Sequence, residues 1–253
     1  MSGTLPKKLK KEPLIDAVFE LRFGDGPIPL SHLLPAALIS SFPSLKLTTF
    51  PAADFPASIR SNEPSLRYAA LYRMEDDSFI FQIGDRSLSI CSKIPYVGWC
   101  TFKSRIMDTL TNLNSSNSPI LGIPLERYSM KYVNLVEAET LEKQVSSLDI
   151  SLKIKDFTLS EQNFQVRVQK EDGGFLNIIT LLSNGMTIVQ GEAAQRIGVI
   201  VDVDVLKTTT DADLATFLQT AEVALDAIHN KCKHEFFSCL KSETLEELGP
   251  VYE

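Results

Sequence analysis

The strand-like segments of this chain follow one another in runs and do not alternate with helices. Three short segments, at about 67–74, 78–83 and 87–91, are separated only by tight turns, and such close spacing predicts antiparallel hairpins. A parallel arrangement would need a crossover of about a dozen residues, usually helical, between successive strands. The sequence therefore predicts an α+β fold with antiparallel sheets, and it argues against a doubly wound α/β fold.

Longer strands are marked by alternation of apolar and polar residues. In the segment 14–23, for example, Phe19 and Glu20 fall on opposite faces. The dipeptide Asn184-Gly185 lies between two apolar runs and predicts a hairpin turn. Patterns of this kind predict further strands at 124–137, 148–154, 164–168, 175–182, 186–190 and 199–205.

Apolar stripes at helical spacing predict three main helices. They cover about 31–41, about 97–113, and a long C-terminal stretch that starts near Asp213 and reaches about Lys241. The proline-containing segment 43–64 shows little periodicity and predicts an irregular loop. The expected architecture is therefore antiparallel sheets packed on two or three helices, one of them a long C-terminal helix.

These elements divide the chain into three parts. A lysine-rich N-terminal arm covers 1–13, an α+β half covers 14–140, and an antiparallel sheet with the long helix covers 141–253. Each half has enough strands for a curved sheet wrapped on a helix. The sequence leaves open whether the halves are two similar sheet-on-helix units, since no identity between them is visible.

Charge limits the classes of partner. The chain has 25 Lys and Arg residues against 32 Asp and Glu, a formal net charge of -7, and such a balance repels nucleic acid and anionic membranes. No stretch reaches the ~20 apolar residues of a membrane span. Four cysteines without a Cys-x-x-Cys pair indicate reduced thiols and a cytoplasmic location. The expected partner is another protein or a second copy of the chain.

The motifs of common enzymes are missing. The sequence contains no glycine-rich phosphate loop, no nucleophile elbow and no zinc signature. His229, Cys232 and His234 lie close together in sequence, but the two histidines would point about 140° apart on one helix. No catalytic residue, metal or cofactor is predicted, and the chain is expected not to be an enzyme.

Six residues are candidates for ligand binding. Glu20 and Arg22 share a strand face, where they would either pair with each other or contact a ligand. Asn134 falls in an otherwise apolar register and needs hydrogen-bond partners if it is buried. It would therefore either pin a neighbouring loop or line a polar pocket. The full set is Glu20, Arg22, Trp99, Tyr128, Tyr132 and Asn134.

Three segments resemble a known family. They are 9–23, which ends in Glu-Leu-Arg-Phe, 131–135 with its aromatic-x-Asn pattern, and 225–229 together with 236–248, which place a histidine and a downstream phenylalanine on the last long helix. Together they are similar to a sporadically distributed, uncharacterised prokaryotic family of about 250 residues. Glu12 stands where that family commonly has a second proline, and Lys131 where it often has arginine. The family has no established activity, and its patchy distribution implies a link to defence, toxin–antitoxin or mobile-element systems.

The leading hypothesis is a non-enzymatic protein-binding protein that uses its C-terminal helix and an exposed strand edge as contact surfaces. A second hypothesis is a small-ligand binder, for a nucleotide or an apolar metabolite, with a pocket on a curved sheet. A third is a metal-dependent hydrolase or nuclease, which would need Asp202, Asp204, Glu20 and Glu192 to converge around an ion.

Overall fold

The computed structural model describes residues 5–115, 119–152, 155–156, 158–188, 195–210 and 212–252. Its strands are β1 Lys8–Leu9, β2 Leu14–Phe23, β3 Lys46–Thr49, β4 Ala70–Glu75, β5 Phe79–Gly84, β6 Ser87–Ser92, β7 Leu125–Glu137, β8 Gln165–Asp172, β9 Phe175–Ile188, β10 Gln195–Thr208 and β11 Pro250–Val251. Its helices are α1 Leu30–Ser41, α2 Ala57–Asn62, α3 Trp99–Ser115, α4 Leu141–Ser146, α5 Leu214–Leu218, α6 Ala221–Ser238 and α7 Ser242–Leu248, with 3₁₀ turns at Pro51–Asp54 and Pro119–Gly122.

The strand pairs β2–β6, β3–β4, β4–β5, β5–β6 and β8–β9 are all antiparallel, which confirms the predicted α+β class. Contacts divide the chain into two compact units. The first unit comprises 1–16, 131–205 and 228–253, and the second comprises 17–130 and 206–227. Each unit combines residues from both sequence halves, so the division does not fall near residue 140. Whether the sequence halves are repeats stays a prediction.

The second unit is a sheet with helices on its apolar face. Its strands lie in the order β3, β4, β5, β6, β2 and the first part of β7. The alternation predicted for β2 is confirmed, because Phe19, Leu21 and Phe23 are fully buried and the residues between them are half-buried. Helix α1 packs on β5 and on α3. The ring of Phe102 on α3 stacks on Phe79 at 6.4 Å between centroids.

The first unit contains the second part of β7, then β10, β9 and β8 in that order. Val201 and Val203 on β10 are fully buried, as are Ile228 and Cys232 on α6. Burial raises the pKa of the Cys232 thiol well above its usual value, which fits a packed thiol and not a reactive one. The predicted apolar stripe of the last long helix is thus part of the core.

The N-terminal lysine segment is paired with the C-terminus. Strand β1 pairs with β11, and the Lys10 and Lys11 N–H groups donate to the carbonyl oxygens of Gly249 and Leu248, each at 3.0 Å. The side chains of Lys10 and Lys11 are exposed, whereas Leu9 is buried. The backbone is therefore held by the ladder while the lysine charges stay in solvent.

The predicted loop at 43–64 is wrong. It contains β3, a 3₁₀ turn and α2. Strand β3 forms through pairing with β4, a long-range contact that local periodicity does not show. Pro51 begins the 3₁₀ turn and Pro56 caps α2, and proline is favoured at helix starts because its fixed φ suits them.

The predicted strand at 148–154 is also wrong over the residues described, up to Leu152; positions 153 and 154 lie outside them. Leu148 makes only an isolated bridge with Leu240, and the Asp149 N–H donates to the Cys239 carbonyl at 2.8 Å. Leu152 is 41% exposed. The segment alternates in sequence, but the N–H groups of Leu148 and Asp149 donate to the carbonyl oxygens of Val145 and Cys239 and not to a strand.

Asn184-Gly185 is not a hairpin turn, because β9 runs through it. Asn184 adopts a φ of 52° inside the strand, a conformation that asparagine tolerates better than most residues. The fully buried Gln144 holds it there. Its Oε1 accepts from the Asn184 N–H at 2.8 Å, and its Nε2 donates to the Asn184 Oδ1 at 3.0 Å. The left-handed residue is therefore satisfied by α4 and not by a turn.

The predicted long C-terminal helix is two helices, α5 and α6, followed by α7. The Asp213 carboxylate accepts from the Thr216 N–H at 2.8 Å and caps α5, as predicted. A second start lies at Thr220, whose carbonyl accepts from the Ala224 N–H at 2.9 Å in the first turn of α6. The helix therefore ends at Leu218 and a new one begins at Ala221. Within the described residues, no helix is long and apolar enough to cross a membrane.

Substitution of Gly198 on β10 tests how closely the backbones of β10 and β7 approach each other. An added Cβ would lie 2.1 Å from the carbonyl oxygen of Val136, so the backbone would have to move. We expect Gly198→Ala to lower the free energy of unfolding by about 3 kcal/mol or more, measured by urea denaturation. Gly122→Ala is the matched control, because an added Cβ there meets nothing within 4 Å. It should stay within about 1 kcal/mol of wild type, and equal losses for both variants would contradict this packing.

Candidate functional site

Strand β8 forms the outer edge of the sheet in the first unit. It is the last strand in the hydrogen-bonded order, and every residue except the half-exposed Val166 is exposed to solvent. Its other side pairs with β9 in a continuous register from Gln165 opposite Leu182 to Asp172 opposite Phe175. An exposed edge of this length is a template for another strand.

The register shows which peptide groups of β8 point outward. The Ser183 N–H donates to the Phe164 carbonyl at 3.0 Å, and these two residues extend the β8–β9 register by one position. In an antiparallel ladder, directly opposite residues alternate between bonded and non-bonded pairs. The even-numbered residues of β8 therefore bond to β9. The outward N–H and C=O groups belong to Gln165, Arg167, Gln169 and Glu171.

The charges of β8 fall into two groups. Asp172 belongs to the even-numbered residues, whose peptide groups bond to β9. Its carboxylate accepts a hydrogen bond from the ammonium of Lys231 on α6 at 2.5 Å, and this hydrogen bond holds the pKa of Asp172 below its usual value. Lys170 lies 3.7 Å from the same carboxylate. In the outward row, Arg167 and Glu171 are exposed and form no ion pair with any residue that the structure describes. These two opposite charges therefore lie in solvent.

Exposed aliphatic side chains occur on β8 and on the ends of β9 and β10. Val168 lies opposite Ile179, seven residues along β9 from Met186, so these side chains do not form one patch at the β8 edge. Single exposed apolar residues are normal. Their exposed fractions are 51% for Val168, 60% for Met186, 71% for Ile188 and 41% for Ile197.

Glu20 and Arg22, predicted as pocket residues, pair with each other. The Arg22 Nε lies 2.8 Å from the Glu20 Oε2, and Arg127 Nη2 reaches the same oxygen at 3.1 Å. The Arg22 guanidinium also lies 4.5 Å from the ring centre of Tyr68. One carboxylate is therefore held between two guanidinium groups on the polar face of the second unit's sheet.

Trp99 and Tyr128 also belong to the second unit. The Trp99 indole N–H donates to the Asp226 carboxylate at 3.1 Å. The buried ring of Tyr128 packs on Phe217, with centroids 5.0 Å apart, and burial raises the pKa of its hydroxyl. Both side chains have packing partners within the unit, so they help to hold its helices in place.

Tyr132 and Asn134 belong to the first unit and are buried. The Tyr132 hydroxyl lies 2.9 Å from the His229 Nδ1. The Asn134 Nδ2 donates to the Val201 carbonyl at 3.4 Å. Asn134 thus contacts the backbone of a strand and not a loop. The structure distributes the six predicted residues over both units.

The described residues contain no group of three or more His, Cys, Asp and Glu side chains that could hold a metal ion. Asp202 lies 2.9 Å from the Lys131 ammonium. The His234 side chain is 54% exposed, whereas Cys232 is fully buried. Glu192, part of the acidic alternative, lies outside the described residues. The metal-dependent hypothesis gains no support from this part of the chain.

Comparison with known proteins finds no matching family model and no matching curated sequence. The resemblance noted in the sequence stays a prediction.

The sequence identified β8 as a strand but not as an edge. Its alternation gives the strand, and the charged stretch from Lys170 to Asp172 is typical of edges. The pairing of β8 with β9 is local, because β9 begins only three residues later. The edge position depends on whether another strand pairs with the other side of β8, and among the described residues none does. That outcome is not visible in local sequence.

Asn134 is expected to be structural. Replacing it with alanine leaves the Val201 carbonyl without this donor in a buried site. We expect Asn134→Ala to lower the free energy of unfolding by about 1–3 kcal/mol, measured by chemical denaturation. The control is Asn62→Ala on α2, where the exposed side chain donates to the Ser58 carbonyl; it should change stability by about 0.5 kcal/mol or less. An unchanged unfolding midpoint for Asn134→Ala would contradict this structural role.

Proposed function

We propose that this chain is a non-enzymatic protein-binding protein that acts by strand addition at the β8 edge. The observation that supports this is the row of outward peptide groups at Arg167, Gln169 and Glu171 on an exposed strand. Main-chain hydrogen bonds to such a row give affinity, and alternate side chains give specificity. A link to defence or toxin–antitoxin systems rests on the sequence resemblance and is a prediction.

The partner in this proposal is a second copy of the chain. Two β8 strands can pair antiparallel about a two-fold axis, which makes one surface serve both copies. With the axis at Gln169, Arg167 of one copy faces Glu171 of the other, and the same pair repeats by symmetry. Both residues lie in the outward row, so the backbone and the charges favour the same register.

Other positions of the two-fold axis along β8 do not place Arg167 opposite Glu171. An axis at Arg167 sets two arginines opposite each other, and an axis at Lys170 does so with two lysines. Like charges directly opposite are destabilising, whereas opposite charges contribute about 0.2–1 kcal/mol per pair. An axis at Val168 faces Arg167 with the neutral Gln169. Charge therefore selects the Gln169-centred register.

The contact would combine backbone hydrogen bonds, ion pairs and the burial of an apolar side chain. The opposed residues from Arg167 to Glu171 would exchange about six backbone hydrogen bonds. Two ion pairs would form, and Val168, now 51% exposed, would be covered by the methylene stem of the other copy's Lys170. Strand pairing alone buries less area than a standard interface. A reversible dimer is therefore expected.

Charge reversal tests the register. Arg167→Glu and Glu171→Arg each place like charges opposite one another, so we expect at least a tenfold rise in the dimer dissociation constant by sedimentation velocity. The double variant exchanges the two charges and should restore the dimer. Lys46→Glu is the control, since it makes the same change of charge on the exposed strand β3 and should leave the dimer intact.

Gln169→Pro tests the backbone bonds without touching a charge. It removes an outward N–H that β9 does not use, and proline is tolerated on edge strands. The variant should fold, as judged by circular dichroism, and should be monomeric at concentrations where wild type dimerises. A wild-type chain that is monomeric at millimolar concentration would overturn the proposal. So would a dimer that withstands both the charge reversals and the proline.

A further inference from the structure

A small cavity in the second unit is surrounded by arginines. Its volume is about 290 Å³, and Arg60, Arg67 and Arg86 line it together with Asp25 and Asp85. Each arginine is paired with a carboxylate: Arg60 with Asp85, Arg67 with Glu126 and Arg86 with Asp25. The site is therefore formally neutral, and its capacity for an anion depends on which of these pairs can be exchanged.

The carboxylate of Asp85 is held in place at the cavity wall by hydrogen bonds. Its Oδ1 accepts from the Ser31 hydroxyl at 2.5 Å and its Oδ2 accepts from the Arg60 Nε at 2.8 Å. Burial alone would raise the pKa of Asp85, but these hydrogen bonds outweigh it and lower the pKa. Arg60 also donates to the Phe55 carbonyl. Arg60 is thereby held rigidly at the cavity wall.

Arg86 and Asp25 form an ion pair whose two side chains differ in solvent exposure. The Arg86 side chain is 17% exposed, whereas the Asp25 side chain with which it pairs is 79% exposed. A pair with one solvated member is weak, so another anion can replace the carboxylate without leaving Asp25 buried and unpaired. The guanidinium stays in place because it is enclosed.

Arg67 has an unused donor. Its Nη2 lies 3.1 Å from the Glu126 carboxylate. Its Nε is buried and has no hydrogen-bond partner among the described residues. A buried N–H without a partner is costly, and an oxyanion in the cavity would supply one.

We infer that this cavity binds a small phosphate monoester. Guanidinium groups bind phosphate oxygens through paired, charge-assisted hydrogen bonds, and three of them can serve the three terminal oxygens of a monoester. The volume lies near the lower end of small-ligand sites, which leaves room for a phosphate and a short organic group. This site belongs to the second unit, and the inference does not depend on the β8 edge.

Calorimetric titration with glycerol 3-phosphate tests the inference, with inorganic phosphate and neutral glycerol as comparisons. Wild type should bind the ester at millimolar concentration or below and should not bind glycerol. Arg86→Gln should weaken ester binding at least tenfold. Arg73→Gln is the control, because Arg73 on β4 pairs with Glu75 and does not line the cavity; it should bind as wild type does.

A second variant avoids any dependence on the stability of Arg86→Gln. Asp25→Asn keeps all three arginines and removes the competing carboxylate, so ester binding should become tighter. Absence of ester binding to wild type would overturn the inference. So would equal binding by Arg86→Gln and Arg73→Gln, or weaker binding by Asp25→Asn. Binding of inorganic phosphate without the ester would overturn the assignment of a monoester.

Discussion

The antiparallel ladder is the constraint on which both units depend. It fixes the face to which each side chain points, and so it buries Phe19 and Leu21 of β2 while leaving Glu20 on the polar face. The same rule decides the direction of every peptide group. On β8 it sends alternate residues toward β9 and leaves Arg167 and Glu171 facing outward. The core and the proposed contact surface therefore follow from one geometric rule.

Buried polar groups are satisfied by specific side chains. Gln144 is fully buried and bonds to Asn184, which lets β9 continue through a left-handed residue. Asp85 accepts from Ser31 and Arg60 at the wall of the cavity. On β8, by contrast, Arg167 and Glu171 form no ion pair with a described residue, and this edge is where we propose strand addition. In the cavity the arginines are paired, and the proposed exchange is at the Arg86–Asp25 pair, whose carboxylate is largely exposed.

Local pattern predicted the strands that are paired along their length. Alternation identified β2, β7, β8 and β10, and a capping residue identified the start of α5. Local pattern failed where distant residues decide the outcome. The Asn184-Gly185 signal was overridden by Gln144, which is distant in sequence. Over the described residues from Leu148 to Leu152, the alternating segment is not part of a strand. The candidate site was predicted only as "an exposed strand edge", because edge position, register and unpaired charge all require knowledge of the neighbouring strands.

Amide hydrogen exchange on β8, followed as a function of protein concentration, tests the central claim most directly. Residues Val168 and Lys170 bond to β9, so their amides should exchange slowly at every concentration. The amides of Arg167, Gln169 and Glu171 should be protected at concentrations that favour the dimer and should exchange quickly after dilution. If these three amides exchange quickly at all concentrations, β8 is not a pairing edge and the account is contradicted.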